Sequence, residues 1–105
     1  MEKFVKGDLV VLPFPFSYLS ASKKRPALVL ADLTGDDVIL CQITSQNIKD
    51  TYAISLTENE ISRGKLIKES NIRPNRLFTA DKAIILYKIG AITTEKFKEV
   101  RNSIV

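Results

Sequence analysis

The sequence predicts a mainly β protein with short helices, of the β or α+β class, built as a small barrel of short strands. Turn-forming residues punctuate the chain at short intervals, and the runs between them are rich in Val, Ile and Leu. A helical spacing of apolar residues occurs only near the C-terminus. With 105 residues, 45% of them hydrophobic and 27% charged, the chain is typical of one soluble globular domain spanning residues 1–105.

The first two strands are predicted on either side of a polar loop. Asp8 to Pro13 forms the first strand, and Pro13 and Pro15 then remove two backbone donors and end its pairing. The polar, basic segment from Ser17 to Lys24 is expected to be a loop. Ala27 to Ala31 is a nearly continuous apolar run, which indicates a strand buried on both faces.

The third predicted strand carries a face that becomes polar towards its end. The segment Thr34–Asp37 is a turn, and Val38 to Thr44 follows as a strand. Alternation places Gln42 and Thr44 on the same side as Val38, and the intervening residues on the other. Gln42 and Thr44 therefore share a face near the C-terminal end of this strand.

The second half of the chain has weaker signals. Tyr52 to Leu56 is predicted as a short strand, and Thr57 to Arg63 as a short helix that Thr57 caps and Gly64 ends. Lys65 to Ile72 is expected to be extended. A turn at Pro74-Asn75 and a last strand over Lys82–Tyr87, followed by Gly90, complete this part.

The clearest helix is the last one. Thr93 or Thr94 is its expected N-cap, and Phe97, Val100 and Ile104 recur at helical spacing as its core stripe. The charged residues of the helix, including Lys96, fall elsewhere on the wheel, and we expect them to form a solvated face.

Composition excludes several classes of enzyme. The chain has no histidine, which excludes Ser-His-Asp and Cys-His nucleophile systems. Cys41 is the one cysteine, so it forms no intramolecular disulfide and, without histidine, no zinc site. A lone cysteine in an apolar strand is typical of a small core residue. No glycine-rich nucleotide-binding motif occurs.

Charge and hydropathy indicate which partners and which cellular location to expect. The net charge is +4 and the pI about 9.3, which permits an anionic partner without requiring one. No apolar run approaches the roughly 18 residues of a membrane span. The N-terminus MEKFVKGD lacks the apolar region of a signal peptide, so we expect a cytoplasmic protein.

Lys23-Lys24-Arg25 is the densest basic cluster. Three consecutive charges are usually a solvated loop, but they also suit a phosphate site. Arg25 precedes Pro26, which favours an extended backbone, and the buried strand starts directly after. Its guanidinium can therefore project from a rigid element and offer a fork of donors to two phosphate oxygens. The residues alone leave both interpretations open.

Other polar candidates are less specific. Thr44 and Ser45 lie where a strand meets a turn, so their hydroxyls either cap the strand or face a phosphoryl oxygen. Arg73 and Arg76 flank the expected proline turn and add basic surface. Phe16, close to the polar loop, is a core or dimer contact or a platform for base stacking.

The order and spacing of several segments resemble the MazF/PemK family of toxin endoribonucleases. The resemblance begins at Gly7-Asp8 and runs through PFPF and KRPALVL to Ile43-Thr44-Ser45. It continues in ESNIRPNRLFTAD at Glu69–Asp81 and ends in KIGAITTEKFKEV at Lys88–Val100. None of these pieces is specific by itself, whereas their order and spacing together are.

The resemblance implies a small SH3-like β-barrel of the MazF/CcdB/Kid type with a C-terminal helix, and a homodimer. Similar proteins are toxins of type II toxin–antitoxin systems, neutralised by an acidic, partly disordered antitoxin protein. They cut single-stranded RNA at short sequences without a metal or other cofactor. The RNA 2′-hydroxyl attacks its own phosphate, which leaves a 2′,3′-cyclic phosphate and a 5′-hydroxyl.

The resemblance also assigns roles to residues. Arg25 corresponds to the catalytic arginine, and Thr44 to the hydroxyl residue that assists it. The loop Ser17–Lys24 corresponds to the segment that covers RNA and contacts antitoxin; it has no acidic residue, so a role given to a glutamate there in some members is not carried over. The substrate-binding candidates are Phe16, Ser17, Ser20, Ser22, Lys23, Lys24, Ser45, Gln46, Arg73 and Arg76.

Three alternatives remain open on the sequence. The chain could be a non-catalytic barrel of the same fold that binds nucleic acid or protein, a toxin directed at DNA gyrase, or a structural adaptor. Retention of Arg25, Thr44 and the basic loop favours the ribonuclease.

Overall fold

The computed structural model describes residues 4–14, 23–33, 35–44, 53–64 and 70–104, and gives the backbone alone at Phe14, Lys23, Asn75 and Arg76. Within these ranges one sheet curls into an open half-barrel, and a C-terminal helix packs against it. The mainly β class with a terminal helix is therefore confirmed. No helix in the described ranges is long and apolar enough to cross a membrane.

The sheet has seven strands in the order β4-β6-β3-β2-β1-β7-β5, and every recorded pairing is antiparallel. The strands are β1 Asp8–Phe14, β2 Lys23–Asp32, β3 Asp37–Thr44, β4 Ile54–Leu56, β5 Ile61–Gly64, β6 Ser70–Asp81 and β7 Tyr87–Ile92. The helix α1 is Thr94–Ile104, and two 3-10 turns cover Glu58–Glu60 and Lys82–Ile84.

Alternation along the central strands builds a buried cluster on each face of the sheet. The cluster on the helix face includes Leu9, Leu28, Cys41, Ile43, Ile72 and Val100 of α1. The cluster on the opposite face, here the far face, includes Val10, Leu12, Ala27, Val29, Leu40 and Ala80. Because side chains alternate with period two, the strands β1, β2 and β3 are buried on both sides.

β2 is longer than the sequence predicts, because its pairing with β1 continues outward to Lys23 opposite Phe14. Arg25 therefore lies within a strand and not before it, and the prediction that the loop extends through Lys24 is wrong because Lys23 and Lys24 belong to β2. Pro26 is tolerated here because the ladder between β2 and β3 ends at Ala27–Gln42, so the missing N–H of Pro26 removes no bond to β3.

β6 also runs through a proline. A turn was predicted at Pro74-Asn75, but Ser70–Asp81 is one strand with an irregular register between Arg73 and Leu77, which pair with Gln42 and Cys41 respectively. The prediction of a chain reversal is wrong because the three intervening residues form a bulge in the ladder and the strand direction continues.

The segment after β4 is helical for only one short turn. Thr57 caps it as predicted, since its backbone N–H donates to Glu60 Oε1 at 2.9 Å. The predicted helix to Arg63 is wrong, because residues from Ile61 form β5 against β7. Gly64 lies in this strand and does not end a helix.

The predicted last strand over Lys82–Tyr87 is wrong as well. Asp81 Oδ1 accepts the Ala83 N–H at 2.8 Å and so caps a 3-10 turn at Lys82–Ile84. The apolar residues Ile84 and Ile85 pack on the far-face cluster. The true last strand is β7, and Gly90 lies inside it.

Gly64 and Gly90 permit a close approach between β5 and β7. A Cβ on Gly90 would collide with the Arg63 carbonyl oxygen, and one on Gly64 would collide with the Ile89 carbonyl oxygen. Gly64 also has φ of +80°, where other residues are strained. The two strands therefore meet here only because both positions are glycine.

A buried carboxylate joins β1 to β7 and β5. Asp8 is 1% exposed, and its Oδ2 accepts the Val5 N–H at 2.9 Å and lies 3.3 Å from Lys88 Nζ. Its Oδ1 lies 3.6 Å from the Arg63 guanidinium. A buried charge is stable only when paired and hydrogen-bonded, and Asp8 is both.

α1 docks through an apolar residue and a buried ion pair. Thr93 Oγ1 accepts the Lys96 N–H at 3.2 Å and caps the helix as predicted, and Val100 is fully buried. The prediction that Lys96 belongs to a solvated face is wrong. Its side chain is 4% exposed, because Lys96 Nζ lies 2.9 Å from Glu60 Oε2 and 3.2 Å from Glu99 Oε1.

The Glu60–Lys96 pair predicts a pH-dependent contribution to stability. Burial by itself would raise the pKa of Glu60, but hydrogen bonds from Lys96 and Thr57 and the Lys96 charge outweigh burial and lower it from 4.5. The pair is therefore stabilising at neutral pH, and the contribution is lost as the pH falls below 4.5 through the lowered pKa. We expect Glu60→Gln to reduce the free energy of unfolding by about 1.5 kcal/mol at neutral pH, the lower end for a hydrogen bond to a charged group, because Glu60 is 30% exposed.

Urea unfolding of wild type and Glu60→Gln between neutral and acidic pH measures this effect. The difference between the two proteins should shrink as the pH falls. Glu58→Gln is the matched control, because Glu58 is exposed in the same 3-10 turn and forms no ion pair with the residues that the structure describes. An equal, pH-independent loss in both variants would contradict the assignment.

Candidate nucleic-acid interface

Arg25 is held by the ladder between β1 and β2. It lies opposite Leu12, whose side chain belongs to the far-face cluster, and its own side chain is half-buried. Residues directly opposite each other in an antiparallel pair point to the same face. The Arg25 guanidinium is therefore on the far face, close to the end of a strand that β1 supports.

Thr44 reaches the same face from the next strand. It is the last residue of β3, lies opposite Asn71 of β6 and is 8% exposed. The ladder between β2 and β3 ends at the pair Ala27–Gln42, and Arg25 and Thr44 are each two residues beyond it on their own strands. Since positions two apart share a face, Arg25 and Thr44 occupy equivalent places on neighbouring strands.

Three further side chains complete the group. Gln42 is half-buried, lies two residues before Thr44 and pairs with Arg73 of β6. Arg73 is therefore on the far face as well, and Asn71 joins it through its pairing with Thr44. We call Arg25, Gln42, Thr44, Asn71 and Arg73 the polar cluster.

The polar cluster can bind an anion through several donor groups. Its two guanidinium groups are planar forks of donors that match phosphate oxygens, and the Thr44 hydroxyl adds a further donor. It contains no carboxylate. The far-face apolar cluster adjoins the polar cluster along the same strands. Its low dielectric constant strengthens the attraction between the two guanidinium groups and a phosphate.

The basic run splits between the two faces. Lys24 pairs with Pro13 and is exposed, and because adjacent residues alternate, it is directed away from the face of Arg25. Lys23 lies opposite Phe14 in the backbone, but its side chain is outside the description, as is that of Arg76. The other predicted binding residues also lie outside the described ranges: Phe16, Ser17, Ser20, Ser22, Ser45 and Gln46.

The structure adds partners that the sequence analysis missed. Arg73 was placed beside a proline turn, whereas the ladder places it opposite Gln42. Alternation in β3 put Gln42 and Thr44 on a shared face. Which residues of β6 lie opposite them depends on the register between β3 and β6. Asn71 was therefore not predicted as a site residue, because no local pattern in the sequence indicates that it lies opposite Thr44.

Cys41 lies beside the cluster and points to the other face. It is fully buried in the helix-face cluster, and its Sγ donates to the Arg73 carbonyl oxygen at 2.8 Å. Burial raises the pKa of the Cys41 thiol to about 12, so it remains protonated and cannot act as a nucleophile near neutral pH. Its predicted role as a core residue is confirmed.

No group of three His, Cys, Asp or Glu side chains in the described ranges is arranged to hold a metal ion. The polar cluster itself supplies amide, hydroxyl and guanidinium groups.

A curled half-barrel sheet with one C-terminal helix also occurs in solved structures of endoribonucleases and MazF proteins. One similar structure is an endoribonuclease in complex with its cognate antitoxin from a Mycobacterial species, with TM-score 0.75, 9% identity, and coverage of 97% of this chain and 91% of that chain. Another is a MazE-MazF crystal structure from Deinococcus radiodurans, with TM-score 0.74, 20% identity, and coverage of 95% and 91%. These likenesses establish the fold. No curated protein matches the chain in sequence.

The sequence itself identifies the family. Residues 5–105 match the family described as "PemK-like, MazF-like toxin of type II toxin-antitoxin system". The chain therefore belongs to the PemK-like, MazF-like toxins, and its predicted family and SH3-like barrel of the MazF type are confirmed.

The buried position of Cys41 predicts an unreactive thiol. Because it is the one cysteine of the chain, labelling by iodoacetamide reports on it alone. We expect native protein to be labelled at least about 100-fold more slowly than urea-unfolded protein at the same pH. In the folded protein the reagent does not reach the buried sulfur, and the raised pKa keeps the thiol protonated. Equal labelling rates in the two states would show that the thiol is accessible.

Proposed function

We propose that this toxin is a sequence-specific endoribonuclease that cuts single-stranded RNA without a metal ion. The observation that carries the proposal is the convergence of Arg25, Thr44 and Arg73 on one face of three adjacent strands. Family membership and the endoribonuclease names of the structural neighbours support it.

The reaction is an intramolecular transesterification. The 2′-oxygen of the RNA attacks the adjacent phosphorus, the bond from phosphorus to the 5′-oxygen breaks, and a 2′,3′-cyclic phosphate forms. The 2′-hydroxyl loses its proton and the departing 5′-oxygen gains one, so the products are the cyclic phosphate and a 5′-hydroxyl. Because the nucleophile belongs to the substrate, the protein needs to position the phosphate and stabilise its charge.

Arg25 and Thr44 are the proposed catalytic residues. Negative charge accumulates on the phosphoryl oxygens in the transition state, and a guanidinium fixed in a strand stabilises it without reorganising. The Thr44 hydroxyl donates to the same phosphate from the neighbouring strand. The half-buried position of Arg25 strengthens its interaction with the phosphate because little water screens it.

Arg73 is the proposed site of a second phosphate contact. Its strand is separated from that of Arg25 by β3 alone, and neighbouring strands lie about 4.8 Å apart. The remaining substrate-binding assignments, in the segment from Phe16 to Lys24 and at Ser45, Gln46 and Arg76, are proposed from the family resemblance.

The partners and location are proposed on the same grounds. We infer that the toxin acts in the cytoplasm as a homodimer, and that an acidic antitoxin protein neutralises it. One structural neighbour was solved with its cognate antitoxin, which supports an antitoxin partner. The net charge of +4 suits both an RNA and an acidic protein.

The proposal is tested by incubating a long single-stranded RNA with purified protein in EDTA and mapping the cut ends. We expect discrete cuts bearing 2′,3′-cyclic phosphates. Arg25→Ala should reduce the cleavage rate by about 100-fold or more, and Thr44→Val, which keeps the packing, by about 10-fold. Arg101→Ala on the exposed side of α1 is the matched control and should cut like wild type.

Cleavage by folded Arg25→Ala at the wild-type rate would contradict its catalytic role. Intact RNA combined with lost plasmid supercoiling would instead identify a toxin directed at gyrase. Intact RNA with unaffected supercoiling would identify a binding barrel without activity.

The role of Arg73 is tested by salt dependence. Affinity for a single-stranded DNA spanning the mapped cut site, which lacks the 2′-hydroxyl and so is not cut, is measured over a range of salt concentrations. Loss of one phosphate contact in Arg73→Gln should reduce the slope of log K against log salt by about 0.7. Arg101→Gln serves as the control, and an unchanged slope in folded Arg73→Gln would place Arg73 outside the interface.

A further inference from the structure

The polar cluster continues across the sheet as a row of side chains on the far face. Leu12 is opposite Arg25 on one side, and on the other Thr44 is opposite Asn71, which is itself opposite Ser55 of β4. Since directly paired residues share a face, Asn71 and Ser55 extend the face that carries Arg25 and Thr44.

The two directions along this row differ in chemistry. Towards β1 the next residue is Leu12, which is apolar and fully buried and so offers a nucleotide no polar contact. Towards β4 the row passes half-buried Asn71 and ends at exposed Ser55 on the edge strand. Along this row, and among the residues that the structure describes, an RNA strand whose phosphate binds Arg25 and Thr44 therefore meets polar, accessible side chains in the direction of Asn71 and Ser55.

The residue types in this direction suit a base better than a phosphate. A guanidinium offers donors alone, which match phosphate oxygens, whereas the Asn71 amide offers two donors and an acceptor. Asparagine pairs in this way with the donor and acceptor edge of a base, and the Ser55 hydroxyl can take either role. Single-stranded RNA is read through such contacts to splayed bases.

We propose that Asn71 and Ser55 bind the edge of a base adjoining the scissile phosphate and so determine part of the cleavage sequence. This inference rests on the proposed ribonuclease function and adds a specificity site to it. The site lies one strand from Thr44, at the ordinary spacing of about 4.8 Å between strands. Phosphate binding and base reading are thus adjacent on a single rigid surface.

The test is deep sequencing of cut sites in a randomised RNA pool digested by wild type, Asn71→Asp, Asn71→Ala and Ser55→Ala. Asn71→Asp retains the shape but replaces the amide donors with a negative charge, and Asn71→Ala removes the amide without adding charge. Exposed Ser55 can be changed without affecting the core. We expect the variants still to cut, more slowly than wild type at the preferred sequence, and the preference at one position beside the cut to change by at least about fivefold, the lower end for a bidentate base contact. Asn102→Ala on exposed α1 is the matched control and should leave the preference unchanged.

An unchanged base preference in Asn71→Asp and Ser55→Ala would overturn the inference. Complete loss of cutting by folded Asn71→Ala would overturn it too, because Asn71 would then act on the phosphate. Failure of wild type to cut RNA would refute the proposed function itself, so the two failures are distinguishable.

Discussion

The register shared by β2, β3 and β6 is the constraint on which the site depends. Leu40 and Cys41 are successive residues of β3, each fully buried, one in the far-face cluster and the other in the helix-face cluster. A slip of one residue would drive Gln42 and Thr44 into the helix-face core and bring apolar side chains out. Burying those polar groups without partners would cost several kcal/mol, so the core fixes the position of the polar cluster.

The two prolines near the site share an arrangement. Pro26 stands just beyond the last pair between β2 and β3, and Pro74 follows Arg73, the last residue before the bulge in β6. Each lies where β3 offers no ladder partner, so neither leaves a hydrogen bond unmade. The arginine before each proline is therefore still paired with a neighbouring strand, Arg25 with β1 and Arg73 with β3, next to a place where pairing with β3 stops.

Sequence patterns correctly predicted the strands and the helix that are determined by their own residues. The alternation of β3 placed Gln42 and Thr44 on one face, and Thr93 with Val100 defined the last helix. Other features depend on distant partners and were missed. The apolar run after Asp81 reads as a strand, whereas Ile84 and Ile85 pack on the far-face cluster, whose members on β1, β2 and β3 lie far away in sequence.

The same limit applied to charged residues. Lys96 looks solvated on a helical wheel, and only the position of Glu60, far away in sequence, explains why it is buried. Within the site, Arg25 and Thr44 were found through the family resemblance and the edge of a strand. Asn71 was found only through the β6 register, which no pattern within β6 specifies.

The paired glycines of β5 and β7 affect how genetic data on this toxin should be interpreted. A growth selection for harmless variants recovers changes that abolish the chemistry and changes that abolish the fold. Substitutions at Gly64 or Gly90 belong to the second kind, since any Cβ there collides with the backbone of the adjoining strand. They would be recovered beside changes at the proposed active site, although they lie across the sheet from Arg25, at the β5 edge. The abundance of soluble protein in each survivor separates the two kinds.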